Sequence, residues 1–398
     1  MKHKSIKLLT CAISSTILIL ILAGCAADKH SPNSWPVGNN VELNRLADVR
    51  IKWPKTVTRF AVGSCAKERL PQPIWNTIGA QEPELFLFIG DNQYADRWAP
   101  NGRKVQSTPV TDPERFYEAY ETLAAIPEFA KFREKVPIMG MWDDHDYGAN
   151  DQGKEYPLKQ HSQLAFLDFF QFPLDSPLYQ QEGVYYAKTF GEEGRRIQFI
   201  MLDTRYHRDK LDKNPRGKGK NRGPYIATTD TTRSMLGEEQ WQWLAEQLAE
   251  AAEVRFLISS VQVVAHEHGW ETWGNMPHER ERLYNLIRDT EANGVIMLSG
   301  DRHLTEVSVD SGQLGAKPPY PMWDFTVSGM TDEEKVVTED NTFRKGDVFR
   351  QSHFGTVEID WGKNQGGAEV ILKAINENGD ILNFQRVKIA ELVVNKST

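Results

Sequence analysis

Cysteine is scarce in this chain: Cys11, Cys25 and Cys65 are the three among 398 residues. Two of them crowd the N-terminus, so the part able to form a core holds one thiol and no disulfide framework. Long apolar runs are missing beyond a single one at the start, and the mean hydropathy is −0.53. A multi-span membrane protein is excluded on that ground. No fixed-period repeat is present, which excludes a solenoid or a propeller. Positive charge is in deficit, 47 Lys and Arg against 55 Asp and Glu for a formal −8, a poor basis for nucleic-acid binding. Aromatics are plentiful, with 18 Phe, 12 Tyr and 11 Trp, and 40% of residues are hydrophobic. Whole-chain disorder is therefore excluded, and one large or two modest cores are expected.

The one long apolar run, Leu8 to Ala23, follows a basic start of Lys2, Lys4 and Lys7 and ends in Leu22-Ala23-Gly24-Cys25. It reads as a signal peptide and resembles the lipobox of bacterial lipoproteins, in which Cys25 would be lipidated and become the new N-terminus. Ala26 after the Cys resembles the outer-membrane sorting signal. No twin-Arg pair is present, so export is expected in the unfolded state, with any metal loaded afterwards. The expected division is a signal over 1–24, a tether over 25–55 and one domain over 56–393. Losing 1–24 removes three lysines and no acid. Cys65 would then be the only thiol of the folded part, inert or bound to something. Arg208, Lys210, Lys213, Arg216, Lys218, Lys220 and Arg222 form a local basic cluster among glycines, either a solvated loop or one that gathers anionic substrate.

Short apolar runs read as buried strands at 59–62, 85–89, 137–141, 197–202, 255–259 and 295–298, with further strands at 355–359, 368–374 and 384–389. Helical spacing lies between some of them: Asp112-Pro113 opens one helix, Trp241, Leu244 and Leu248 mark another, and Leu283, Leu286 and Ile287 a third. The alternation predicts α/β layering. Polar chemistry follows the first six strands: Gly63-Ser64-Cys65, Gly90-Asp91-Asn92-Gln93-Tyr94, Trp142-Asp143-Asp144-His145-Asp146, Asp203-Thr204-Arg205, Gln262, and Gly300-Asp301-Arg302-His303. Ligands of open α/β sheets bind at carboxyl strand ends, so these groups should converge on a polynuclear metal site.

The donor types narrow the metals. Asp91, after a glycine that lets the backbone come close, can bridge two cations. Tyr94 offers a hard phenolate suited to Fe(III), and Cys65 a thiolate suited to a transition metal. Asp143, Asp144, Asp146, Asn150 and Asp151 are oxygen donors suited to Ca²⁺ or Mg²⁺. His145, flanked by acids, can be held protonated as a general acid. On an extended backbone it would project opposite to Asp144. His303, two residues past Asp301, would share its strand face and reach metal or substrate. Arg205 can fork onto phosphate.

Together these motifs resemble the PhoD-like alkaline phosphatase/phosphodiesterase family of metallophosphoesterases, over about residues 59–389. The resemblance implies a four-layer αββα core with two packed mixed sheets. It implies Fe³⁺ held by Cys65, Asp91, Tyr94 and Asp301, and one or two Ca²⁺ held by Asp91, Asp144 and Asn150. It makes His145 the catalytic histidine and Arg205 the phosphate grip. Asn275, with Trp273 and Arg280, resembles a segment lining the substrate pocket.

The expected activity is hydrolysis of a phosphoric ester, a metal-activated water attacking phosphorus while His145 protonates the leaving group. The alternatives are a diesterase acting on a nucleotide, phospholipid or cell-wall polymer, and a non-catalytic lipoprotein that binds phosphate or metal. Expected partners are the phosphate ester and, through Cys25, the membrane of a bacterial envelope.

Overall fold

The structure is a computed structural model and describes residues 52–97, 107–219, 222–313, 317–332, 335, 337–362 and 367–394. The signal and lipobox readings, Cys25 included, lie outside the described residues, as does Lys220. In chain order the first half carries β1 (Arg59–Gly63), α1 (Ile74–Ala80), β2 (Phe86–Ile89), α2 (Glu114–Ala124), α3 (Pro127–Arg133), β3 (Ile138–Met141), α4 (Asp144–Tyr147), α5 (Lys159–Phe169), β4 (Tyr186–Phe190) and β5 (Ile197–Met201). The second half carries β6 (Asp212–Lys213), β7 (Tyr225–Ile226), α6 (Glu238–Ala249), β8 (Val254–Ser259), α7 (Pro277–Asp289), β9 (Val295–Ser299), β10 (Thr305–Asp310), β11 (Met322–Val327), β12 (His353–Asp360), β13 (Glu369–Asn376) and β14 (Ile381–Lys388).

Two six-stranded sheets form, in the orders β14-β13-β12-β1-β2-β3 and β10-β11-β9-β8-β5-β4. Both are mixed. In the first, β1, β2 and β3 run parallel while β12 pairs antiparallel to β1. In the second, β11, β9, β8 and β5 are parallel, with β10 and β4 antiparallel at the edges. Parallel strands covered on both faces read as continuous apolar runs, as in the all-buried Phe86-Leu87-Phe88-Ile89 of β2.

The sheets pack face to face. Phe60 of β1 meets Phe199 of β5 and Phe256 of β8 edge-on, with ring centroids 5.0 and 4.8 Å apart. Gly355 of β12 has no room for a side chain there: a Cβ would stand 2.7 Å from Val62 and 3.0 Å from Phe325 and Val327. On the outer face of the first sheet, Trp75 of α1 packs on Phe86 and Phe88 at 4.9 and 5.6 Å. Outside the second, α6 receives the Gln198 side chain of β5 on its Gln247 carbonyl at 2.9 Å. Helix, sheet, sheet, helix is the αββα layering.

The loops after the parallel strands of both sheets are bonded to one another. Cys65 N–H donates to Gly90 O at 3.4 Å, Gly300 N–H to Ser260 O at 3.0 Å, and Gly329 N–H to Ser64 O at 3.1 Å. Strand ends from two sheets thereby share one rim.

Candidate active site

Left-handed backbone is concentrated on that rim. Cys65 (φ 59°), Asp91 (49°), Asp151 (56°), Asp301 (64°) and His303 (54°) are five of the non-glycine residues in this region among the described residues. Each such residue costs of order 1 kcal/mol or more and persists only where its surroundings hold it. Gly90, at φ 110°, has no space for a Cβ, which would lie 2.7 Å from Asp143 Cβ.

Three groups of donors converge, each with its ligand atoms within 4.8 Å of one another: Cys65, Asp91 and His303; Asp91, Asp144 and His145; and Asp144, Asp151 and Glu271. Asp91 belongs to the first two, as a bridging carboxylate would. Its Oδ2 accepts from Cys65 Sγ at 3.3 Å and from Tyr94 OH at 3.2 Å, and its Oδ1 from His145 N–H at 3.3 Å. Tyr94 OH is also 3.3 Å from His303 Nε2. All of these residues are buried or nearly so.

Burial, reinforced by the Asp91 carboxylate, holds the Cys65 thiol and the Tyr94 phenol well above their usual pKa values. Burial and the Asp144, Asp143 and Asp146 carboxylates outweigh His145 to raise Asp91. Asp301 is raised by burial and by Asp143. Anionic donors packed so closely out of water repel one another and resist ionising unless a cation joins them. Asp144 Oδ1 is buried without a hydrogen-bond partner. Convergent thiol, phenol, imidazole and carboxylate donors, with Asp144 Oδ1 among the oxygens left without a hydrogen bond, fit bound metal ions.

His145 sits on the first turn of α4. Its Nδ1 is 2.7 Å from Asp96 Oδ1, its Nε2 is 4.0 Å from Asp144 Oδ1, and its ring lies 4.1 Å from that of Tyr94. Burial pulls its pKa down, but Asp144, Asp91 and Asp96 outweigh burial and push it up to about 10. The extended backbone expected at 144–145 is helical instead, so Asp144 and His145 face one group rather than opposite sides. Asp146 leaves the site: Oδ1 accepts the Asn92 and Gln93 N–H groups at 2.9 and 3.2 Å, and Oδ2 the Asp143 N–H at 2.9 Å. It ties the 91–94 loop to α4.

Four further residues stand in a geometry that their spacing does not convey. Asn150 is exposed, and its neighbour Asp151 joins Asp144 and Glu271. The tight turn after α4 decides this, with Asp151 in the left-handed region and its N–H on Asp144 Oδ2 at 2.8 Å. Asp301 and His303 do not share a strand face, because both have positive φ and precede β10. His303 faces Cys65 and Asp91, while Asp301 joins none of the three groups. Arg205 is fully buried with every nitrogen on a carboxylate: Nε and Nη2 on Asp143 Oδ1, each at 2.6 Å, and Nη1 on Glu271 Oε2 at 2.7 Å. So placed, it pairs with two acids, while its Nη1 and Nη2 make no hydrogen bond of their own. Asn275 caps a short 3₁₀ turn, its Oδ1 accepting the Thr272 N–H at 2.9 Å. Trp273 beside it bonds Ser259 Oγ at 3.0 Å, and both residues serve the scaffold.

Four functional-looking residues carried no motif in the sequence. Asp96 orients His145. Asp332 takes His303 Nδ1 at 2.9 Å and Lys67 Nζ at 2.5 Å. Glu271 is shared by Arg205 and by Arg208, whose Nη2 is 2.9 Å away. Ser328 Oγ lies 3.0 Å from Cys65 Sγ and accepts the His303 N–H at 2.7 Å. Only Asp96, two residues past Tyr94, lay close enough to a motif to be suspected.

The model of the PhoD-like phosphatases matches residues 60–370. The chain belongs to this family. Alkaline phosphatase D of Bacillus subtilis (strain 168) is 24% identical over 278 residues, covering 63% of this chain and 46% of that protein. The PhoD-like chain thus spans about half the length of this curated relative. The solved structure of PhoD superposes with a TM-score of 0.62 at 18% identity, covering 85% of this chain and 73% of the other. That likeness concerns the fold. In this PhoD-like chain the family match takes in every residue of the three donor groups.

Proposed function

We propose that this protein is a metal-dependent phosphoric ester hydrolase exported to the bacterial cell envelope. The observation that carries the reading is Asp91, whose two oxygens face two different donor groups at the rim shared by the sheets. The first group, with Tyr94 added, combines a soft thiolate with a hard phenolate and suits a ferric ion. The second and third groups, rich in carboxylate oxygen, suit calcium. Such cations supply Lewis acidity, neutralising charge on phosphoryl oxygens and lowering the pKa of water.

The chain's own residues do the rest. Asp96 accepts from His145 Nδ1–H and so turns Nε2 towards the centre; in the imidazolium form, which Asp144, Asp91 and Asp96 favour, Nε2 also carries a proton and can deliver it to the leaving oxygen. Asp332 fixes His303 through Nδ1 and turns Nε2 to Tyr94. Arg205 and Arg208 hold Glu271 from two sides, and Arg205 also holds Asp143. Burial of the rim excludes bulk water and strengthens each of these contacts.

Hydrolysis of p-nitrophenyl phosphate and bis-p-nitrophenyl phosphate by the metal-loaded protein tests the reading. Turnover of at least one ester, lost in Asp91→Asn, is expected. Binding of inorganic phosphate without turnover of either ester would make the protein a non-catalytic binder. The envelope location rests on Leu22-Ala23-Gly24-Cys25 alone. Cys25→Ser should move the protein out of the membrane fraction.

A further inference from the structure

Beside this centre, on residues that belong to none of the three donor groups, stands a cationic corner. Lys218 Nζ lies 4.2 Å from the centroid of the Trp270 ring, and Arg302 Cζ lies 5.0 Å from it. Each partner is one peptide from the centre: Trp270 precedes Glu271, and Arg302 lies between Asp301 and His303. Consecutive Cα atoms are about 3.8 Å apart, so the backbones of Trp270 and Arg302 adjoin residues of the centre.

The corner is built rather than incidental. Backbone bonds clamp the basic loop to the 268–270 turn, with Gly223 N–H on His268 O at 2.7 Å and Tyr225 N–H on Gly269 O at 2.9 Å. The approach is so close that a Cβ on Gly223 would stand 2.0 Å from Gly269 O. Arg302 is only 9% exposed; Glu339 takes its Nη2 at 2.5 Å, while its buried Nε has no hydrogen-bond partner. Lys218 is exposed and makes no ion pair among the described residues. Two acids adjoin it in sequence: Glu271, whose oxygens lie 2.7 and 2.9 Å from Arg205 and Arg208, and Asp301, beside Arg302.

We propose that Lys218, Trp270 and Arg302 form a second anion subsite that takes a second phosphate of the substrate, so that the preferred ester carries a phosphate beyond the one cleaved. Trp270 keeps the two cations apart and pointed, and a phosphate there gains one flexible and one planar donor. This deepens the phosphohydrolase reading and rests on it.

The experiment compares propyl phosphate with the bisphosphates of three-carbon and six-carbon α,ω-diols, the spacer serving as a ruler. Hydrolysis kinetics are paired with calorimetric binding, which reads the subsite even if nothing is hydrolysed. For the wild type, at least one bisphosphate should bind at least about fivefold more tightly than the monophosphate. Lys218→Ala should erase that preference, Lys218→Glu should reverse it, and Lys218→Arg should restore it. Values for propyl phosphate should move less than twofold. Because Arg302 adjoins the donor groups, Arg302→Gln is judged by the same ratio and not by activity. Equal affinity of the wild type for all the esters overturns the subsite, as does an equal loss on all of them in Lys218→Ala. Absence of hydrolysis with the binding preference intact would overturn the enzymatic reading and leave the subsite standing.

Discussion

At the scale of single residues, His145 decides the chemistry. With Nδ1 bound to Asp96, Nε2 is the atom that faces the centre. Three carboxylates hold it up at about 10, and a cation bound beside it would take back part of that elevation. His145→Ala should therefore slow hydrolysis of alkyl esters by roughly 10²–10⁴, the usual worth of a general acid. Nitrophenyl esters, whose leaving group needs no proton, should suffer less, and the metal content should hold. Loss of a metal with equal slowing of both esters would make His145 a ligand. A second pair separates two neighbours. Asp151→Asn removes a carboxylate grouped with Asp144 and Glu271 and should lower activity at least about tenfold, whereas Asn150→Ala should stay near wild type. Steady-state rates on one ester read both, and the reverse ranking would restore Asn150 to the site.

At the scale of elements, the loops after parallel strands carry the account, and their backbone is under strain. Gly90 turns the chain from β2 into Asp91 at φ 110°, against Asp143 and Ser260. Gly90→Ala adds both strain and overpacking, a destabilisation of about 2–4 kcal/mol. Thermal melting should show it, together with an activity loss out of proportion to the folded fraction, because Asp91 would shift. A variant with unchanged melting and rate would show that the turn is slack.

The same scale explains what could be read beforehand. The six apolar strands and their polar ends were legible because a run such as Phe86 to Ile89, buried on both faces, has few other uses. In the two large sheets, β4, β10 and β11 were not. β10 buries Glu306, Ser308 and Asp310, and Glu306 is matched by Arg344 at 2.6 Å. β11 buries Asp324, which accepts the Val263 and Val264 N–H groups at 2.8 and 3.0 Å. Buried polar residues satisfied from distant segments look like loop residues in one dimension. Within the site, Asp91 and His145 were legible from their motifs. The places of Asn150, Asp301, Arg205 and Asn275 turned on φ angles and on partners such as Glu271, which no spacing encodes.

At the scale of the whole molecule, stability should depend on pH through a group outside the donor set. His353 opens β12, fully buried, its Nδ1–H donating to Gln351 O at 2.6 Å and its Nε2 accepting the Ser328 N–H at 3.1 Å. Burial lowers its pKa from 6.5 to about 4. A histidine depressed in the fold stabilises it above the unfolded value near 6.5. That contribution, roughly 3 kcal/mol, is lost as pH falls from there towards 4. His353→Gln should flatten the fall in melting temperature over this interval, and an unchanged slope would assign the acid sensitivity elsewhere.

The central claim for the molecule is that ions complete a rim of acids, thiol and phenol which cannot hold its charge alone. Metal analysis of the isolated protein, repeated with activity after chelation and after reloading, tests it most directly. The account predicts iron together with calcium, loss of activity when calcium is removed while iron remains, recovery when calcium returns, and a visible band from Fe³⁺ that shifts in Tyr94→Phe or Cys65→Ser. Full activity in protein proven free of both metals would contradict it.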